Sequence, residues 1–274
     1  MIVYFNGKFI EDKECWISPF DRGFLFSDGV YEVAKFTGKK FFEFNAHLDR
    51  LKNGLNFLQI HYAEADKLHD ISCELIKANQ LTDKTATVYI QITRGISNPR
   101  NHLFSGNETP TVFANASELK SGSGKDSLKV FLTDDLRWSG CNIKTTLLLP
   151  NVLAQQKAFE YGADEAVLVR FGFITEGTHT SFCAAKDGCL ILPPLSNYIL
   201  PSITRKIVTD ICREINIPVD ERNFTVEDLY SLDEYMIMST KSDVLPVVEI
   251  MDIKRKPGEV TKKIQNAFKE FLNS

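Results

Sequence analysis

The chain has 274 residues, 43% of them hydrophobic and 25% charged, and its 32 Lys and Arg against 36 Asp and Glu leave a net charge of −4. That apolar share can fill a sizeable core, while the slightly acidic balance excludes a basic nucleic-acid face; the longest basic cluster, Lys254-Arg255-Lys256, stops at Pro257. No apolar run nears the roughly 20 residues of a membrane span, no secretory leader pattern opens the sequence, and the six cysteines form no CxxC pair, so a cytoplasmic protein with reduced cysteines and a small-molecule partner is expected.

Ile2-Val3-Tyr4-Phe5 and Lys8-Phe9-Ile10 flank Asn6-Gly7, a pair suited to the positive φ angles of a two-residue hairpin turn. Asp21 to Gly29 reads as a loop and Val30 to Phe36 as the strand leaving it. Tyr31 therefore lies at a loop-to-strand edge, either as a half-buried core residue or with its hydroxyl in a pocket. Asn45 is placed to cap a helix whose Leu48, Leu51, Leu55 and Leu58 form one stripe, with Arg50 just off it, as a surface charge or an anion clamp. A second helix spans about Ala65 to Ala78, and a strand runs from Thr85 to Thr93. In the following loop Arg100 and His102 are one residue apart, so in extended backbone both point the same way. Such a pair can grip one carboxylate, or it can simply be solvated.

A strand over Thr111 to Ala116 leads into a connector, Ser117 to Asp126. Its Ser121-Gly122-Ser123-Gly124-Lys125 superficially resembles a phosphate loop, but Leu119 stands where a glycine is needed and Asp126 where a Ser or Thr would bind magnesium. We read a linker, dividing a lobe over 1–116 from one over 127–274, with 117–126 between them.

In the second half a strand over Leu128 to Leu132 precedes a strand-like run, Leu136 to Ile143, closed by Lys144. This lysine is the only charged residue between Arg137 and Lys157; burial would free its amine, whereas a strand-end lysine can also snorkel to solvent. A helix from about Asn151 to Tyr161 ends at Gly162, and strands follow at Glu165 to Arg170, Ser181 to Ala185 and Leu190 to Leu192. Glu176, in Thr175-Glu176-Gly177, reads on composition alone as a surface turn residue. Ser202 caps a helix facing inward through Ile207, Val208, Ile211 and Ile215, whose first amides, at Ile203 and Thr204, sit at the positive end of its dipole. A strand over Tyr235 to Ser239 ends in Thr240. Pro257 starts a last helix with Val260, Ile264, Ala267, Phe268 and Phe271 inward. The five histidines show no metal-ligand spacing, and no metal is expected.

Seven motifs occur in order: Asp21-Arg22-Gly23 leading to Ser27-Asp28-Gly29-Val30-Tyr31-Glu32, His47-Leu48-Asp49-Arg50-Leu51, Thr93-Arg94-Gly95, Ile143-Lys144, Thr175-Glu176-Gly177, Ile203-Thr204-Arg205 and Ser239-Thr240. Together they resemble the fold-type IV pyridoxal-phosphate (PLP) enzymes, which include D-amino-acid transaminases, branched-chain aminotransferases and aminodeoxychorismate lyases. The likeness covers almost the whole chain. It implies an α/β fold of the α+β two-lobe kind: a small N-terminal α/β lobe and a larger C-terminal lobe with a mixed, barrel-like sheet.

The resemblance also implies roles. Lys144 would form the Schiff base with PLP, and Glu176 would pair with the pyridine nitrogen. Arg50, the amides of Ile203 and Thr204, and the Thr240 hydroxyl would hold the phosphate. Tyr31, Arg100 and His102 would hold the substrate carboxylate, part of that trap crossing from the second subunit of a homodimer. The expected reaction moves an amino group between a D-amino acid, such as D-alanine, and a 2-oxo acid, such as 2-oxoglutarate. Departures keep a lyase releasing pyruvate and 4-aminobenzoate from aminodeoxychorismate as the alternative: Leu147 replaces a common asparagine, His179 and Ser181 replace a Ser and an Asn, and the Arg100 loop is one residue longer. A branched-chain aminotransferase fits the Arg-x-His pair less well, and a non-catalytic binder would need neither Lys144 nor Glu176.

Overall fold

Positive φ angles at Asn6 and Gly7 close the first hairpin, β1 (Ile2–Phe5) and β2 (Lys8–Glu11), as the Asn-Gly pair requires. In the computed structural model, which describes residues 1–119 and 125–273, the chain divides into two compact units. Lys120 to Gly124, which make up most of the phosphate-loop-like piece of the expected linker, lie outside the described residues.

The first unit comprises Met1–Gly122 and Ile143–Leu147. After β2 come the one-turn helix α1 (Arg22–Phe26), β3 (Gly29–Thr37), α2 (Phe44–Leu58), α3 (Leu68–Ala78), β4 (Thr85–Thr93) and β5 (Thr111–Glu118). Its strands form an antiparallel sheet ordered β2-β1-β5-β4-β3. Leu51 and Leu55 of α2 and Leu68, Leu75 and Ile76 of α3 join Val30, Ala34, Val88, Ile90, Ile92 and Ala114 of the sheet in one core, as the helical stripes require. The start of α2 differs from expectation. Its N-cap is Glu43 at φ 47, without a side-chain cap bond, and the helix opens at Phe44, whose buried ring packs edge-on against Phe41 at 5.0 Å. Apolar burial, rather than capping by Asn45, sets that boundary.

The second unit comprises Ser123–Asn142 and Leu148–Ser274. Its elements are β6 (Leu128–Asp134), α4 (Leu149–Glu160), β7 (Glu165–Arg170), β8 (Phe173–Gly177), β9 (Ser181–Lys186), β10 (Cys189–Leu192), α5 (Ile203–Glu214), β11 (Val219–Glu221), β12 (Glu234–Ser239), β13 (Asp243–Ile250), β14 (Ile253–Lys254) and α6 (Glu259–Asn273). The sheet runs β11-β10-β9-β12-β13-β6-β7-β8, with β14 on β13. Its pairs are antiparallel except β10/β11, β13/β6 and β6/β7, so the sheet is mixed, as expected for the larger lobe. Buried Phe182, Phe224, Tyr235, Ile237 and Val247 form the main part of its core. Among the described residues no helix is long and apolar enough to cross a membrane.

Three expectations need correction. The run Leu136 to Ile143 is not a strand: β6 ends at Asp134, because the Asp135 carboxylate turns the chain by accepting from the Arg137 amide and guanidinium. Ile143–Leu147, which the sequence alone assigns to the second lobe, belongs to the first unit, since Thr145 bridges Val30 of β3. Thr175-Glu176-Gly177 is strand rather than surface turn. The turn lies earlier, at Phe171 (φ 53) and Gly172 (φ 83), which fold β8 back on β7.

The last helix starts two residues beyond Pro257, with Val260, Ile264 and Phe268 buried while Phe271 is exposed. Its first turn is tied to β12 by the buried carboxylate of Glu234, which accepts from the amides of Gly258 (3.0 Å), Val260 (3.1 Å) and Thr261 (2.8 Å) and from the Thr261 hydroxyl (2.5 Å). Glu234→Ala leaves these donors without an acceptor. It should lower stability by about 1–3 kcal/mol in urea unfolding, and an unchanged midpoint would contradict the assignment.

Candidate active site

Lys144 lies on the short segment that pairs with the start of β3. Its carbonyl accepts from the Tyr31 amide at 3.1 Å, the Thr146 amide donates to Gly29 O at 3.0 Å, and the Thr146 hydroxyl donates to Ser27 O at 2.9 Å. This backbone pairing brings the half-buried Lys144 side chain onto Tyr31. Nζ donates to the phenol oxygen at 3.3 Å and lies 4.4 Å from the ring centroid. The structure thus joins two of the candidate residues directly.

Arg50, near the middle of α2, meets the buried Glu32 of β3 through two bonds, Nε to Oε1 at 2.6 Å and Nη2 to Oε2 at 2.9 Å. His47, one turn earlier, places Nδ1 2.8 Å from the same carboxylate. Burial raises the proton affinity of Glu32, but the Arg50 charge and the bonds from His47 and Arg50 outweigh it and hold the group at about 2. Burial pushes His47 down, against the pull of Glu32. Glu32 and His47 lie within two of the motifs, yet nothing in their spacing marks a pair that forms only when β3 and α2 pack together. Arg100 and His102 are exposed, and both rest on Phe26: the guanidinium lies 4.5 Å from its centroid and the imidazole 5.4 Å. Among the described residues neither makes a hydrogen bond or ion pair to Tyr31.

In the second unit Glu176 is buried on β8, accepting from Arg137 Nη1 at 2.5 Å and from the Leu200 amide at 3.1 Å. Arg137 is fixed in turn by Asp135, whose carboxylate also binds Arg170 and receives the Thr175 hydroxyl at 3.3 Å. Burial raises Asp135, but the bonds from Arg137 and Arg170 prevail and hold it at about 2; burial disfavours the Arg137 cation, yet Asp135 and Glu176 leave its pKa raised. Arg137 could not be picked out by spacing, because only the β7/β8 hairpin brings Glu176 to it.

Ser202 caps α5 by accepting from the Arg205 amide at 3.2 Å, so the helix begins where expected. The amides of Ile203 and Thr204 have no acceptor within the helix. The Thr204 hydroxyl beside them is buried and has no hydrogen-bond partner among the described residues, an orphaned donor at a helix N-terminus. Thr240 lies in the turn joining β12 to β13, which is closed by the Ser239 and Ser242 hydroxyls at 2.6 Å. His179 places Nδ1 3.2 Å from the buried carboxylate of Glu165, and the nearby Ser181 hydroxyl is buried with no hydrogen-bond partner among the described residues.

Both depressed carboxylates couple stability to pH. Glu32 and Asp135 bind protons more weakly folded than unfolded, so the stability they contribute is complete above their ordinary values of 4.5 and 3.8 and is lost as pH falls towards about 2. Unfolding free energy should drop steadily below about pH 4.5, and less steeply in Glu32→Gln, a variant that also costs about 3–5 kcal/mol at neutral pH by removing the buried charge that Arg50 binds. A profile flat over that range would contradict the assignment.

Residues 29–250 match the family model for Amino-transferase class IV. The chain is 36% identical over 279 aligned residues to the D-alanine aminotransferase of Staphylococcus haemolyticus, covering 99% of this chain and 98% of that one. It is 34% identical over 281 to the D-alanine aminotransferase of Bacillus licheniformis, covering 100% and 98%. Among solved structures, the branched-chain aminotransferase of Thermoproteus uzoniensis shares the fold, with a TM-score of 0.91 at 23% identity over 99% of this chain and 94% of that one. The Escherichia coli branched-chain aminotransferase gives 0.90 at 22% identity over 98% and 93%. These findings bear out the fold-type IV architecture and PLP as the cofactor, and the chain belongs to the class IV aminotransferase family.

Proposed function

We propose that the protein transfers an amino group between a D-amino acid, such as D-alanine, and a 2-oxo acid, such as 2-oxoglutarate. The observation that carries this reading is the Lys144 amine held 3.3 Å from the Tyr31 hydroxyl, in a chain whose near-full-length relatives are D-alanine aminotransferases. Those relatives favour transamination over the lyase alternative.

The available groups fit PLP. An orphaned hydroxyl beside two free helix amides suits its phosphate, an arginine-bound carboxylate suits its ring nitrogen, and an accessible amine suits its aldehyde. When bound, PLP supplies the carbonyl that takes up the amino group and a ring that accepts electrons. From the first unit, Lys144 moves the proton at the substrate α-carbon and Arg50, locked by Glu32, carries positive charge for the phosphate. From the second, Glu176, fixed by Arg137, would pair with the ring nitrogen, and Ile203, Thr204 and Thr240 would hold the phosphate oxygens.

Tyr31, Arg100 and His102 take the substrate carboxylate. The exposure of Arg100 and His102 supports a trap assembled across a homodimer, as do the exposed apolar side chains of Trp16 (80%), Phe24 (73%) and Leu103 (78%) in the same unit. All six cysteines are unpaired, which supports a reducing, cytoplasmic setting.

D-alanine with 2-oxoglutarate should yield pyruvate only when both are present. Pyruvate and 4-aminobenzoate from aminodeoxychorismate alone would sink the proposal in favour of the lyase. Lys144→Ala should lose on the order of 10²-fold or more in kcat, as removal of a general acid–base does. Arg100→Ala should weaken carboxylate-dependent substrate binding by about 2–5 kcal/mol while PLP is retained, and unchanged kinetics would show that this loop is not the trap.

A further inference from the structure

We infer that Arg22, clamped by Asp28 and backed by Phe26, is the positioning residue for the Arg100-Asn101-His102 segment. This rests on the reading of Arg100 and His102 as the carboxylate grip. Arg22 is 4% exposed and donates Nε to Asp28 Oδ2 at 2.8 Å. The rest of its guanidinium fork faces the segment. Nη1 donates to Asn101 O at 2.6 Å and to Leu103 O at 3.4 Å, and Nη2 donates to His102 O at 3.2 Å. Three consecutive carbonyls are thus gathered by one planar cation, an arrangement that a lysine cannot reproduce.

The anchor is itself rigid. Asp28 also receives Arg94 Nε at 2.7 Å and Nη2 at 3.0 Å, while Arg94 donates onward to the carbonyls of Leu58 (2.6 Å) and Gln59 (3.0 Å) at the end of α2. Asp21, which caps α1 by accepting from the Gly23 amide at 2.8 Å, holds the turn carrying Arg22 to β4 through the Thr93 hydroxyl at 3.0 Å. By contrast, residues 98–110 make no backbone-to-backbone hydrogen bond among the described residues. The segment therefore depends on side chains for its place, with Arg94 lying 3.7 Å from the Phe104 centroid as a second point of contact.

The side chains that matter rest on the same support. Phe26 carries Arg22 at 4.9 Å, Arg100 at 4.5 Å and His102 at 5.4 Å from its centroid. One ring thus sets the spacing between the two carboxylate-gripping groups, while Arg22 sets the backbone between them. A misplacement of about 1 Å in such groups is costly to a reaction that needs them aligned.

The test uses the PLP-loaded enzyme and compares Arg22→Lys, Arg22→Met and Phe26→Leu with Arg100→Ala and the Arg22→Met/Arg100→Ala double variant. Arg22→Lys keeps a cation for Asp28 but not the fork, so it should hold Tm and PLP content near those of the parent while raising KM for D-alanine about tenfold or more, with kcat changed less. In the double variant the effect of Arg22→Met should largely vanish, because the group it positions is gone. Phe26→Leu should raise KM in the same direction and gives the same reading if Arg22→Met fails to fold. A parental KM in both Arg22→Lys and Phe26→Leu, or an Arg22→Met penalty that adds fully to that of Arg100→Ala, overturns the inference. If Arg100→Ala itself leaves KM unchanged, the carboxylate-grip reading has failed, and the role of Arg22 falls with it.

Discussion

The structure depends first on the backbone pairing of Ile143–Leu147 with the start of β3. Two backbone amide hydrogen bonds, a hydroxyl bond and the Thr145–Val30 bridge place a segment from the second half of the chain against β3, the edge strand of the first unit's sheet. Gly54 of α2 leaves room for this, since a Cβ there would stand 2.9 Å from Val30. Lys144 owes its position to this pairing rather than to the rigidity of a strand of its own. The amine and the Tyr31 phenol face each other because their backbones are already joined.

A second theme is the buried carboxylate held by arginine. Glu32 with Arg50, Glu176 with Arg137, and Asp135 with Arg137 and Arg170 repeat one solution, and the half-buried Asp28 is held in the same way by Arg22 and Arg94. Burying a lone carboxylate is costly, whereas a guanidinium fork offsets that cost and fixes the orientation of the group. The pairs also tie elements together: β3 to α2, β8 to the turn after β6, that turn to β7 through Arg170, and α1 to the loop after β4. Arg50 and Glu176, two of the groups in the proposed function, are therefore the ends of stiff ionic networks.

Much of this was legible in the residues. Asn6-Gly7, the leucine stripe of α2, Thr85 to Thr93, Glu165 to Arg170 and the Ser202 cap were readable because local turn chemistry, periodicity and capping decide them. The ordered motifs pointed to Lys144, Glu176 and the family. What escaped notice was decided at long range. The true place of Leu136 to Ile143 depends on Asp135 turning back onto Arg137, and β8 was hidden because the Phe171-Gly172 turn precedes Thr175-Glu176-Gly177 by so few residues. Arg137 has no local signature, and the motifs that hold Glu32 and His47 give no sign that the two pair. Each gains its role only from a partner that packing delivers.

The central claim is that one amine, Lys144, is the covalent attachment point for the cofactor. Its most direct test is hydride trapping of the PLP-loaded protein with borohydride, followed by proteolysis and mass spectrometry of the labelled peptide. The account predicts a single pyridoxyl adduct on Lys144. An adduct on another lysine, or none, would contradict it.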